Sequence, residues 1–328
     1  KLSTAYGAAG NYFEAGIRNL TSECWEAQYA LTLLLYESVA EATYLNGDFD
    51  QATVWLEAIF TNARTLLETV KAHEIKIQAY IAQNKLADAV HWALGILESL
   101  RVPLPHQPKQ YMVSLAIWKT RRALAGRSIA SLADLPVMTA PVELAAMRIL
   151  SSVMSAAFSY SPKLFLLLSL KALNLSLKHG NVALSAYAYA SYGQILCGIV
   201  GNIDDGYQFG QLAFRLLSQF DDKQLKAKVL MVVNDFVVHW RAHVRETLAP
   251  FLTAYHSGLE TGDLEFAARS AMLYGYLSYF IGRELTGLEQ SFRTYTAAIS
   301  NLNQTQFLYL NERYRLIVLN LMGKSADP

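Results

Sequence analysis

Apolar residues recur along the chain at three- and four-residue steps over long segments, and hardly any window shows the strict alternation of a half-buried strand. The spacing predicts helices over 3–20, 23–45, 49–64, 66–83, 86–101, 109–125, 140–158, 162–178, 182–200, 204–219, 223–242, 246–258, 263–281, 284–300 and 304–322. Breaks of a few residues separate them, and the punctuation recurs. Helices are expected to start after Gly47-Asp48, Asn84-Lys85, Gly180-Asn181, Gly201-Asn202 and Gly262-Asp263. A glycine takes the left-handed conformation that ends one helix, and the Asp or Asn after it caps the next.

The breaks also have a period. Gly180-Asn181-Val182 and Gly262-Asp263-Leu264 lie 82 positions apart, and the same offset carries Tyr192-Gly193 onto Tyr274-Gly275. Half of that offset, 41, leads from Gly180 to Asp221, just before another helix, and back to Thr139, ahead of the helix beginning near Ala140. A two-helix period of this length predicts an all-α α-solenoid of tetratricopeptide-like helical hairpins, a right-handed superhelix of about seven helix pairs. The N-terminal pairs are tighter, with Gly47 and Asn84 separated by 37. Ala52 and Ala89, each five positions after its turn residue, are the small residues that let paired helices approach. Gly193 and Gly275 are expected at equivalent close approaches.

Two connectors interrupt the pattern. Val102 to Pro108 contains three prolines and is expected to cross in extended form. Gly126 to Thr139 contains Asp134-Leu135-Pro136. The expected organisation is an N-terminal repeat block over 1–125, a connector over 126–139 and a C-terminal block over 140–328 with the 41-residue period. The chain starts in helical pattern without Met, which reads as a piece of something longer, and Lys1 to Gly10 show no signal-peptide pattern.

Composition narrows the classes of function. Hydrophobic residues make up 53% and charged residues 17%, which excludes disorder, and a net charge of +1 gives no global attraction to nucleic acid or an anionic membrane. With 8 Pro and 18 Gly the chain has too few turn signals for an all-β fold. Cys24 and Cys197 lack the partners of a disulfide framework or a structural zinc site and read as buried thiols in a reducing, cytoplasmic compartment. From Val182 to Ile203 there is no charged residue, enough to span a bilayer as one helix. Tyr187, Tyr189, Tyr192, Ser185, Ser191, Gln194 and Asn202 argue instead for a buried helix, and small residues at Ala183, Ala186, Ala190, Gly193 and Cys197 would wedge it between others.

Phosphate-loop, dinucleotide, kinase catalytic-loop, GxSxG and HExxH patterns are all absent, so no catalytic, cofactor-binding or metal residue is assigned and no cofactor is expected. The nearest constellation is His239-Trp240-Arg241-Ala242-His243-Val244-Arg245-Glu246, whose histidines at i and i+4 would share one helical face. That spacing suits a metal, but a third ligand is missing and Arg241 and Arg245 would repel a dication. Two readings remain: a helix C-terminus whose side chains meet the last carbonyls, or an anion or acidic peptide held by Arg241, His243 and Arg245. Tyrosines cluster at Tyr187, Tyr189 and Tyr192 and at Tyr274, Tyr276 and Tyr279, which suits core packing or a recognition groove. Tyr187, Tyr207, Arg241, His243 and Arg245 form the candidate interaction surface. Lys119, Arg121, Arg122 and Arg127 are the densest basic group and read as a solvated helix face.

Several stretches carry a likeness. They are Glu41 to Phe49, Glu74 to Tyr80, Ala89 to Leu97 running into Pro103-Leu104-Pro105, Gly126 to Ile129 with Leu135 to Thr139, Leu175 to Asn181, and His239-Trp240 followed by Gly258 to Asp263. Together they resemble the helical repeat region of large bacterial, often cyanobacterial, multi-sensor kinases. Those proteins join a serine/threonine-kinase-like region, an AAA-type ATPase, the helical repeats, a GAF sensor and a histidine kinase. The resemblance implies a non-enzymatic segment that contacts these flanking domains, or another signalling protein, in two-component signal transduction. The near-neutral charge adds that neither nucleic acid nor a membrane is expected as a partner. The other reading is a small-molecule effector-sensing module, which calls for an enclosed, tyrosine-lined pocket on a concave helical surface.

The last predicted helix carries Phe307, Leu308, Leu310, Tyr314, Leu316, Ile317, Leu319 and Leu321 around much of its circumference. Such a helix is a poor terminal cap. The expectation is a docked domain or a weak homodimer through the C-terminal end.

Overall fold

The structure, a computed structural model, describes residues 6–325, so the predicted start of the first helix at residue 3 lies outside the described residues. Among these residues the chain forms sixteen α-helices and no strand. They are α1 (Tyr6–Arg18), α2 (Cys24–Ala27), α3 (Tyr29–Leu45), α4 (Phe49–Asn62), α5 (Val70–Ala82), α6 (Leu86–Ser99), α7 (Gln110–Leu124) and α8 (Pro141–Tyr160). There follow α9 (Pro162–His179), α10 (Ser185–Ile195), α11 (Ile203–Phe220), α12 (Lys223–Phe236), α13 (Leu248–Thr261), α14 (Leu264–Phe280), α15 (Leu285–Asn301) and α16 (Thr305–Leu321). The all-α prediction holds.

Two compact units divide the chain differently from the expected blocks. The first takes residues 6–81, 85–115 and 138–168; the second takes 82–84, 116–137 and 169–325. The expected connector therefore falls almost entirely in the second unit, and α8 belongs with the N-terminal helices. Contacts decide this assignment and local patterning does not report it: α6 packs on α8 across more than forty intervening residues.

In the first unit α1 packs on α3, α3 on α4 and α6 on α8. The Asp48 carboxylate caps α4 by accepting from the Gln51 amide at 3.1 Å, and Ala52 and Ala89 are fully buried, as the hairpin reading requires. One buried node is polar. The His73 ring stacks on Phe60 with centroids 4.6 Å apart and accepts from the Trp92 indole N–H at 3.2 Å. Lys76 lies 4.0 Å over the Trp92 ring and pairs with Glu57 at 2.8 Å. Burial, aided by the Lys76 charge, pushes the His73 pKa down to about 4. α8 is 20 residues long and the one described helix long and apolar enough to cross a membrane, yet 67% of its apolar window is buried inside the protein.

In the second unit each helix from α10 to α16 packs on the next, and α10 with α12, α12 with α14 and α14 with α16 also pack together. The left-handed stops between helices keep the predicted period. Gly180, Asp221, Gly262 and Asn303 all have positive φ (97, 47, 82 and 55°), each 41 positions beyond the last. An offset of 82 carries α11 onto α15 and α12 onto the start of α16, and places α10 inside α14. The backward step to Thr139 does not share the device, because α8 begins after extended backbone at Ala140 with Pro141 in its first turn.

The predicted close approaches are present. A Cβ on Gly193 would lie 2.8 Å from the Gly206 carbonyl oxygen of α11, and one on Gly275 would lie 2.6 Å from the Phe292 ring of α15. Phe292 is 82 positions beyond Gly210, whose amide nitrogen also borders Gly193. The two seams are therefore equivalent in register but filled differently, glycine against glycine in one and glycine against a fully buried ring in the other.

Three local expectations are corrected. The uncharged run from Val182 does not form one long helix: α10 covers eleven residues, all buried, and passes into a π-helical turn over Leu196–Val200 that Gly201 ends at φ 78°. Asn181 does not cap α10. Its amide donates to the Leu132 carbonyl at 2.7 Å, its side-chain oxygen accepts from the Tyr189 hydroxyl at 3.0 Å, and its backbone N–H meets the Pro136 carbonyl at 2.7 Å. These bonds fasten the 126–137 segment onto the second unit, which a buried amide accomplishes only with its donors and acceptor satisfied. The third correction concerns α12, which ends at Phe236 rather than near residue 242.

Candidate functional site

The end of α12 sets the geometry around the predicted surface. Past Phe236 the chain leaves the α-helix at Val237 (φ −124°, ψ −52°) and makes two short 3₁₀ turns, Val238–Trp240 and Val244–Thr247, before α13. His239 and His243 thus do not share a helical face, which removes the geometric premise of a metal pair. Among the described residues no group of three His, Cys, Asp or Glu side chains could hold a metal ion.

Of the two other readings, the structure favours the helix end at one residue. Partial burial holds the His239 pKa below the usual histidine range, opposed by the Asp235 backbone in the last turn of α12. His243 turns inward on its own loop, where its Nδ1 accepts from the Arg245 backbone N–H at 3.1 Å and caps the second 3₁₀ turn. Arg241 pairs with Asp204 in the first turn of α11, and its guanidinium lies 5.3 Å from the centre of the Tyr207 ring. Of the five predicted residues the structure therefore brings Tyr207 and Arg241 together, with Arg241, His243 and Arg245 exposed and Tyr207 half-buried. Because Arg241 is already matched by a carboxylate and Glu246 stands next to Arg245, the acidic-peptide reading loses its strongest cation.

Tyr187 is placed elsewhere, and the surface assignment is corrected. It is buried, with Tyr189 and Tyr192, in the core of the second unit, where its ring meets Phe266 of α14 edge-on at 6.1 Å. Burial, and after it the Glu265 charge, raises its hydroxyl pKa far above the ordinary value. Tyrosine at successive steps of two and three residues on a helix that is buried all round here means packing, one of the two readings open from sequence.

Around Tyr187 lies a set of charges that sequence patterning does not single out. Lys228 of α12 sits 5.3 Å from the Tyr187 ring centre and 4.9 Å from that of Phe266, and Arg269 of α14 pairs with Asp235 of α12 at 3.7 Å. Burial raises the pKa of both Asp235 and Asp263, opposed by Arg269 at the first and Lys228 at the second. The arrangement fixes α12 against α14, with each cation set on a ring face or a carboxylate. No signal in a single helix could have revealed it, since the partners come from different helices, Asp235 and Arg269 for instance lying 34 positions apart.

A cleft of 590 Å³ opens where the end of α11 and the start of α12 meet α13. Leu217 is its one aliphatic wall; Asp221, Asp222 and Glu260 face it together with Lys223, Lys226 and His256. The effector reading called for an enclosed pocket lined by tyrosine, and this cleft has none. Charges of both signs spread over an open groove describe a solvated helix junction. No protein-family model matches the chain, and no curated protein matches it.

Proposed function

We propose that the chain is a non-enzymatic helical scaffold in which tetratricopeptide-like hairpins stack as a right-handed α-solenoid within a cytoplasmic, multidomain signalling kinase. The observation that carries this reading is the train of left-handed stops at Gly180, Asp221, Gly262 and Asn303, one every 41 residues, with each helix from α10 to α16 seated on its sequence neighbours. Packing of successive helices on one another along this stretch supports a quasi-one-dimensional stack, whose role is to present surface. The kinase context rests on the likeness of the sequence to the repeat region of multi-sensor kinases. In that setting its partners are the ATPase, GAF and histidine-kinase domains of the same polypeptide, or another signalling protein.

Two results test the proposal. The purified chain is expected to turn over no ATP and to transfer no phosphate, because no helix start carries a phosphate-cradling loop. Turnover that survives purification and tracks with the chain would overturn the scaffold reading. The reading frame that encodes the chain is expected to carry kinase and ATPase motifs as well; a frame without them removes the kinase context and leaves the scaffold standing.

A further inference from the structure

We propose that the open face of α16 is a docking surface for one further helical hairpin of the α13–α14 kind. The inference rests on the repeat reading above. By the 82-residue offset, α16 stands to α14 and α15 as α12 stands to α10 and α11, and both sets of helices pack accordingly. α12 is also covered by α13 and α14, and nothing described takes that place on α16.

Burial locates the missing contact. Leu225 and Val229 of α12 correspond to Phe307 and Asn311 of α16, and all four are buried. Ala227, Met231 and Asn234 are buried too, but their counterparts Tyr309, Arg313 and Leu316 are exposed, Tyr309 at 66% and Leu316 at 51%. Steps of four and three residues place these on a single helical stripe, which Ile317 and Leu321, both exposed, extend. The stripe that α12 buries is the one that α16 leaves open, and the α-helices that cover α12 but have no described counterpart on α16 are α13 and α14.

The α12–α13 interface defines the occupant. α13 buries Leu248, Phe251, Ala254 and the small Ser257 at steps of three residues, a narrow ridge, while Gly258 borders Ala267 of α14 and closes the pair from within. A second copy of this chain has no such ridge to spare, because its α13 is already seated between α12 and α14. The partner is therefore a separate helical hairpin with a ridge of that kind. Arg313, standing where α12 has Met231, adds a requirement for a carboxylate or a helix C-terminus near the middle of the contact.

The test extends the whole chain with its own hairpin. A copy of residues 244–282 placed directly after Ser325, in place of the last three residues, continues the 82-residue register. Leu316→Glu is then made in the extended and in the original chain, and melting temperature and helix content are measured in all four proteins. Docking predicts added helix and a fall of about 3 °C or more for Leu316→Glu in the extended chain, with no shift in the original. If the added hairpin is helical but Leu316→Glu shifts both chains equally, the docking surface is wrong and the repeat reading stands. If the extension adds no helix, both fall. A concentration-dependent dimer of the original chain that Leu316→Glu abolishes would assign the face to a second copy and overturn the hairpin as its occupant.

Discussion

Replacing Gly193 by leucine is expected to destabilise the second unit by about 3 kcal/mol or more, at the upper end of what overpacking costs. The first added carbon would lie 2.8 Å from the Gly206 carbonyl oxygen, 3.4 Å from the Gly210 amide nitrogen and 3.4 Å from a Val237 methyl. Two of those neighbours are backbone of α11, so relief requires α10 and α11 to separate along a seam where Gly206 and Gly210 also lie. Gly275→Leu is expected to cost less, about 1 to 3 kcal/mol, because its obstacle is the Phe292 side chain, which can rotate at the expense of a well-packed core. Denaturant unfolding measures both. If both variants unfold at the wild-type midpoint, the helices do not approach closely and the 82-residue register is wrong.

Acidification from about pH 6.5 to 4 is expected to cost the first unit up to about 3 kcal/mol through His73 alone. The ring is buried, and its pKa falls from 6.5 to about 4, chiefly by burial and secondarily by the Lys76 charge. Above pH 6.5 the imidazole is neutral in the folded and unfolded chain, and the packed ring contributes fully. Between the two values the unfolded chain takes up a proton that the folded one refuses, so stability is lost as the pH falls; below about 4 both forms are protonated and the loss levels off. His73→Phe keeps the stack on Phe60, removes the titration and leaves the Trp92 N–H without its acceptor, a fixed cost of about 1 kcal/mol. Denaturant midpoints at a series of pH values are therefore expected to slope less in the variant than in the wild type. Equal slopes would show that His73 does not carry the pH dependence.

How far the sequence could be read follows from which interactions are local. Helix stops are local: a glycine or an Asp/Asn at positive φ acts through its own backbone, and so Gly180, Asp221 and Gly262 were visible together with their spacing. Close approaches were visible at one remove, because a glycine inside a helix costs stability unless something needs the room, as at Gly193 and Gly275. The end of α12 was not. Val237, Val238 and Trp240 prolong its apolar pattern with no glycine or proline to mark the break, and the chain turns there by tertiary contact with α11. Asn181 shows the converse, since it stands where a cap belongs but spends its amide on Leu132, 49 residues upstream. The surface around Arg241 stayed ambiguous for the same reason: Asp204, which pairs with it, is 37 residues distant and follows no spacing rule. Likewise the grouping of α8 with the N-terminal helices depends on which faces meet, a property of no single helix.

The central claim, that one backbone device recurs every 41 residues, is tested most directly by denaturant unfolding of four single variants at the recurring stops. All four residues hold positive φ, which costs an ordinary side chain about 1 to 2 kcal/mol and glycine nothing, with Asn and Asp between. The account predicts a change of sign along the series: Asp221→Gly and Asn303→Gly stabilise the protein, and Gly180→Ala and Gly262→Ala destabilise it by about 1 kcal/mol or more. Stability that falls in Asp221→Gly and Asn303→Gly, or is unchanged in Gly180→Ala and Gly262→Ala, would contradict it.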